Sequence, residues 1–246
     1  DVAFIYLKNV LEILRQLGAK KGESATLISI AGIFRAKGDY DTAFEYLKQS
    51  LEIKQSIGDK FGEATILNNM SQVHKLHGEN EKALSCINKS LKIQQQIGDR
   101  AGEGTSLNTI SQIYYAQGDY ERAMEYLNQS LLIRQQIGDK KGEIATLNNI
   151  SQIFRLREDY DEALEYLEDA MIICEEIGDL AGKGVMLNNI SAIYQAQDNY
   201  VAALHYLSES IQIREQLGDT VGLCRTKFNM GHIYAKNGKL YKALES

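Results

Sequence analysis

Apolar residues recur along this chain at helical spacing, and the pattern itself recurs. In TLNNISQIF, from Thr146 to Phe154, Leu147, Ile150, Ile153 and Phe154 stand at i, i+3, i+6 and i+7, one stripe of a helix. ILNNMSQVH begins at Ile66, SLNTISQIY at Ser106 and MLNNISAIY at Met186, with a weaker echo, TLISIAGIF, at Thr26. Successive copies lie 40 residues apart. Gly falls at 18, 58, 98, 138, 178 and 218 and again four residues after each, and Ala falls at 43, 83, 123, 163, 203 and 243. Six copies without an insertion oblige each to meet its neighbours in the same way, which is the condition for a solenoid.

Each copy divides into two helices. The first carries the stripe above and stops at punctuation such as Gly38-Asp39-Tyr40 or Gly118-Asp119-Tyr120. Glycine suits the left-handed residue past a helix end, and aspartate caps the helix that follows. In Asp159-Tyr160-Asp161-Glu162 a glutamate at the third position completes a capping-box pattern. The second helix carries Ala163, Leu164, Leu167, Met171 and Ile173, with small residues (Ser50, Ser90, Ser130, Ala170, Ser210) where helices approach closely. It ends at Ile137-Gly138-Asp139 and its equivalents. The predicted unit is an antiparallel hairpin of two helices, each of roughly 16 to 18 residues.

The register sets the boundaries of one repeat domain: a half-repeat over 1–17, full repeats over 18–57, 58–97, 98–137, 138–177 and 178–217, and a partial repeat over 218–246. Tyr241 to Ser246 read as the start of another second helix. Two half-repeats at the ends, and apolar Phe4, Ile5, Leu7 and Leu11 where a terminal repeat would be polar, predict a piece of a longer protein.

Composition narrows the class further. The absence of Pro removes the strongest helix breaker from all 246 residues. Apolar content of 44% and charged content of 24% are those of an ordinary folded protein. A net charge of −6 with no basic stripe argues against a nucleic-acid partner. No segment is apolar enough for a membrane span, and three scattered cysteines fit a reducing compartment, so a cytoplasmic location is expected.

The repeat resembles the tetratricopeptide repeat. In the copy at 98–137 the resemblance is carried by Leu107, Ile110, Ser111, Tyr114, Gly118, Asp119, Tyr120, Ala123 and Met124. The period exceeds the usual length of about 34, and Gln55 and Gln95 stand where a proline normally ends the second helix. The same long variant is seen in kinesin light chain, in Pins-type adaptors and in bacterial signalling proteins. The resemblance implies an all-α fold, a right-handed superhelical α-solenoid of antiparallel helix pairs. It also implies that the first helices line a concave face, with exposed columns beginning at residues 25, 28, 32, 35 and 36.

Those columns supply the candidate binding residues. The 28 column holds Asn68, Asn108, Asn148 and Asn188, and the 32 column holds Gln72, Gln112 and Gln152. The 35 column holds Arg35, Lys75, Tyr115 and Arg155. A carboxamide offers a donor and an acceptor, as a peptide backbone does. With helices roughly 10 Å apart and an extended chain advancing about 3.3 Å per residue, one rung meets every third residue of a bound peptide. Four rungs give only about 2–6 kcal/mol where micromolar binding needs about 8, so charges and pockets must add selectivity. Among the thirty positions in these columns none is acidic, whereas 33 acidic residues in 246 would place about four there. Five are basic: Arg35, Lys75, Arg155, Arg225 and Lys236. The expected partner is a protein or peptide, acidic or carboxylate-terminated. The second asparagine column (Asn69, Asn149, Asn189 and Asn229) is expected to bond between helices.

Catalytic readings find little support. His74 occupies the aromatic column of Tyr114 and Phe154 and reads as a core substitution. Cys86 replaces a tyrosine, and Cys174 stands in a Lys/Gln/Arg column expected to be exposed. The Gly-x-x-x-Gly pairs lack the Lys-Ser/Thr of a phosphate loop. Neither enzyme activity, cofactor, metal nor membrane partner is expected. Two further readings remain: a regulatory or sensor arm of a larger enzyme or regulator, such as the arrays attached to CHAT proteases, kinases or transcription regulators, and a self-assembling array joined end to end.

Overall fold

A computed structural model describes residues 2–236, and among them every element is α-helical. The first helix, α1 (Val2–Gln16), is followed by α2 (Lys20–Ala36), α3 (Tyr40–Ser56), α4 (Lys60–Leu76), α5 (Asn80–Ile97) and α6 (Arg100–Ala116). Then come α7 (Tyr120–Ile137), α8 (Lys140–Leu156), α9 (Tyr160–Ile177), α10 (Leu180–Ala196), α11 (Tyr200–Leu217) and α12 (Thr220–Lys236). Connections of two or three residues leave consecutive helices no alternative to antiparallel packing. The half-helix expected from Tyr241 to Ser246, with Ala243, lies outside the described residues. The stack divides into two compact units between Ile133 and Arg134, within α7.

The turns follow from residue chemistry. Gly38, Gly78 and Gly118 take left-handed φ of 78°, 82° and 79°, and the residue after each donates back into the preceding helix, as Asp39 N–H does to Phe34 O at 3.0 Å. Glu158 and Asp198 hold the same turn position at φ of 65° and 58°, where a Cβ is disfavoured. At the turns that leave α3, α5, α7, α9 and α11, an aspartate closes the next helix. Asp59, Asp99, Asp139, Asp179 and Asp219 accept from the N–H three residues on at 2.8–3.0 Å. That third residue is always glycine, and at Gly62 a Cβ would stand 2.7 Å from Asp59 Oδ2. The capping box expected at Asp159 is not formed: its side chain makes no cap hydrogen bond.

The core repeats with the sequence. Leu27, Leu67, Leu107, Leu147 and Leu187 on the first helices are buried, as are Ala43, Ala83, Ala123, Ala163 and Ala203 on the second. Small residues set the closest approach within each hairpin. The hydroxyls of Ser90, Ser130 and Ser210 donate to the carbonyls of Ala64, Gly104 and Gly184 at 2.7–2.9 Å. Where the second helix has Ala170 in that column, the first helix carries the larger Ile144, also buried. Stacked rings brace four hairpins: Phe34–Tyr46, Tyr114–Tyr126, Phe154–Tyr166 and Tyr194–Tyr206, with centroids 5.4–5.7 Å apart. The remaining hairpin has His74 and Cys86 in those places. His74 is buried against Phe44 at 4.6 Å, with its Nδ1 2.6 Å from Glu79 Oε2.

Candidate functional site

In each unit the candidate residues lie along the first helices at unequal depth. The columns at 25 and 36 are mostly open, whereas the 32 and 35 columns are half-buried through Gln195. The asparagine column lies deeper than the exposed position expected for it. Asn108, Asn148 and Asn188 are half-buried, Asn68 is buried, and only Phe228 at the end of the column stands out, 75% exposed.

In the first unit the polar side chains join from helix to helix. Lys75 Nζ on α4 donates to Gln112 Oε1 on α6 at 2.7 Å, and Arg35 Nη1 on α2 donates to Gln72 Oε1 on α4 at 3.4 Å. Gln72 Nε2 in turn donates to Asn68 Oδ1 one turn earlier, at 3.3 Å. Burial lowers the pKa of Lys75, since its ammonium has given up water for a neutral amide. Tyr115 packs its ring edge-on to Tyr120 at 5.6 Å.

In the second unit the asparagines face inward. Asn189 Nδ2 on α10 donates to Asn148 Oδ1 on α8 at 2.5 Å, so the second asparagine column bonds between helices here. Asn188 Nδ2 has three acceptors within reach: Gly184 O at 3.0 Å, Ser210 Oγ at 2.7 Å and Thr226 Oγ1 at 3.0 Å. Its Oδ1 is buried without a hydrogen-bond partner. Gln152 and Arg155 remain half-buried on α8, and the next position in the glutamine column is Ala192.

A second set of polar residues, at the opposite end of the first helices, escaped the sequence reading. Glu23, Glu63, Glu103 and Glu143 are buried in the first turn of α2, α4, α6 and α8. Arg15, Gln55 and Gln135 each donate to the glutamate eight residues on at 2.9–3.1 Å. Burial opposes ionisation of Glu23, but hydrogen bonds from Arg15 and Lys20 and their charges outweigh it and lower its pKa. In the fifth hairpin the pair is exchanged, with Lys183 donating to Glu175 at 2.6 Å, and Leu180 stands where Lys20, Lys60, Arg100 and Lys140 stood. Acidic residues recurring at period 40 were the signal that could have found this set.

Cys174, expected on an exposed column, is buried, and so are Gln94, Arg134 and Arg214 beside it in register. The column points under the cap of the next helix: Lys54 reaches Asp59 at 2.7 Å, and Arg134 reaches Asp139. Burial, then the nearby Asp179 and Glu175, push the Cys174 thiol up to about 11, which leaves it a poor nucleophile at neutral pH. Among the described residues no three His, Cys, Asp or Glu side chains are grouped to hold a metal ion, and no helix is long and apolar enough to cross a membrane.

Stacked antiparallel helix pairs with a repeating polar face define a helical repeat protein. The chain belongs to the tetratricopeptide repeat family, which matches at residues 1–56, 62–136, 123–176, 142–216 and 182–246. No curated protein matches it. Among solved structures it is similar to a STAND signal-transduction ATPase with a tetratricopeptide repeat sensor from Pyrococcus horikoshii, with 21% identity and a TM-score of 0.71. That match covers 92% of this chain and 36% of the other, so the chain spans about a third of that protein. A putative kinesin light chain from Podospora anserina matches with 16% identity and a TM-score of 0.64, over 80% of this chain and 96% of that one. A Rap protein complexed with competence and sporulation factor matches with 14% identity and a TM-score of 0.65, over 96% and 71%. The likenesses show the fold, and the matching family is one of repeats with no catalytic family indicated.

Proposed function

We propose that this chain is a protein-interaction module that holds an extended, acidic segment of a partner along the exposed face of its first helices. The observation that carries the reading is the charge of that face. None of its thirty column positions is acidic in a chain of net charge −6, and Lys75 and Arg35 are oriented there by neutral glutamines. A carboxylate meeting Lys75 replaces its hydrogen bond to a neutral amide by an ion pair and compensates the desolvation that lowers its pKa. The amides of Gln112 and Gln152 supply backbone hydrogen bonds beside it. A Rap protein is complexed with competence and sporulation factor on a similar fold, which supports this use of such a scaffold.

The test is titration calorimetry with acidic and neutral ten-residue peptides against the native chain and the double variant Lys75→Glu, Arg155→Glu. Acidic peptides are expected to bind the native chain, and the double variant at least tenfold more weakly. Equal affinity for both proteins would end the reading. A second reading, a sensor arm within a larger signalling protein, is favoured by the Pyrococcus neighbour, whose repeats are described as a sensor. The two are compatible, since a sensor also needs a face that binds.

A further inference from the structure

Gly32 departs from its own column without a packing reason. The column reads Gly32, Gln72, Gln112, Gln152, Ala192 and His232. Glycine inside a helix is destabilising relative to alanine. At Gly62 and its equivalents crowding explains the glycine, but a Cβ at Gly32 would meet nothing within 4 Å. Its φ is not among the positive values either. Neither close approach nor backbone conformation asks for glycine at this place.

The missing side chain leaves a recess. Between α2 and α4 there is a cavity of about 190 Å³, floored by the buried Ala31, Leu47 and Val73 and walled by Ile28. Isoleucine here replaces the asparagine of Asn68, Asn108, Asn148 and Asn188, so one repeat exchanges two carboxamides for apolar surface. Arg35 and Asn69 supply the polar lining. The space is far larger than the roughly 10–15 Å³ one water needs, and its hydrocarbon floor offers water few partners. Poorly ordered water gives way readily to an apolar group in such a place. Beside the opening Arg35 donates to the neutral amide of Gln72 at a long 3.4 Å.

We propose that this recess takes an aliphatic side chain of the bound segment, with an acidic residue next to it whose carboxylate meets Arg35. The inference rests on the peptide-binding reading and adds the anchor that sets its sequence preference. A guanidinium whose hydrogen bond goes to a neutral amide, beside an apolar cavity, selects this pairing over a purely apolar or purely acidic segment.

The test is fluorescence polarisation with labelled ten-residue Gly/Ser/Glu peptides carrying one internal Leu-Glu pair. Matched probes carry Ala-Glu, Leu-Gln, Phe-Glu, or a terminal Leu with a free carboxylate. Gly32→Gln restores the residue of three other copies into open space, and circular dichroism checks that the fold is kept. The Leu-Glu peptide is expected to bind the native chain at least tenfold more tightly than Ala-Glu. Gly32→Gln should cut that ratio below twofold while leaving the Ala-Glu affinity unchanged. Equal binding of the Leu-Glu and Ala-Glu peptides, with both still weakened by Lys75→Glu and Arg155→Glu, would remove the recess and leave the basic face standing. Preference for the Phe-Glu or terminal-Leu probe would overturn the occupant assigned here. Failure of every acidic peptide to bind would remove both proposals together.

Discussion

Asn68 in the first unit and Asn188 in the second occupy the same column of equivalent helices and serve different ends. Asn68 takes a hydrogen bond from Gln72, one turn along its own helix. Asn188 turns its amide to Gly184, Ser210 and Thr226 instead, tying α10 to α11 and α12. The reason lies in the neighbours. Four residues beyond Asn188 stands Ala192, which offers no partner, while Gly184 and Thr226 open and line a place for the amide within the stack. A repeated residue therefore acquires its role from the columns beside it. The second unit has drifted further from the shared pattern: it also holds the exchanged Lys183–Glu175 pair and the non-glycine turns at Glu158 and Asp198.

Substitution in the two units should expose the difference, most strongly at the asparagines. Asn188→Ala is expected to lower stability by about 1–3 kcal/mol, because the buried hydrogen bonds that its amide makes towards α11 and α12 are lost. Asn68→Ala should cost under about 1 kcal/mol. Urea unfolding reads both as shifts of midpoint at unchanged slope; equal losses would erase the distinction.

At the turns the sign reverses. Glu158→Gly should stabilise the chain by about 1 kcal/mol by relieving a side chain held at positive φ, and Gly118→Glu should destabilise it by a similar amount. Thermal melting compares them, and a loss of stability in Glu158→Gly would show that the glutamate makes compensating contacts.

The smallest effect is expected at the exchanged pair. Lys183→Glu places a like charge beside Glu175, and both groups are partly exposed, so the loss should be about 0.5 kcal/mol. Adding Glu175→Arg to that variant recreates the Arg15–Glu23 arrangement and should recover the loss. A double-mutant cycle with no coupling would mean that the pair only shares a surface.

The fold was almost wholly legible in the sequence. Glycine and aspartate at fixed places fixed the turns, and the apolar stripes predicted which side chains are buried, from Leu27 to Leu207. The candidate face was legible in part. Lys75, Gln112, Arg35 and Gln72 stand together because their columns are adjacent on one side of the first helices. The depth of the asparagine column was not legible, since a helical stripe gives direction around one helix but not the height of the neighbour packed against it. Cys174 was misjudged for the same reason: its column looks polar, yet it is covered by the first turn of the next helix.

What the sequence by itself determined is the unit and its repetition. Helix spacing, capping and turn chemistry act over a few residues, and an unbroken period of 40 makes each local solution the same as the last. What only the tertiary structure decided is how each copy uses its variations. The inward turn of Asn188, the exchanged charges at Lys183 and the recess beneath Gly32 depend on side chains from different helices meeting at one point. Hydrogen bonds and packing act over a few ångströms, so these roles are fixed only when residues distant in the chain are brought within that range.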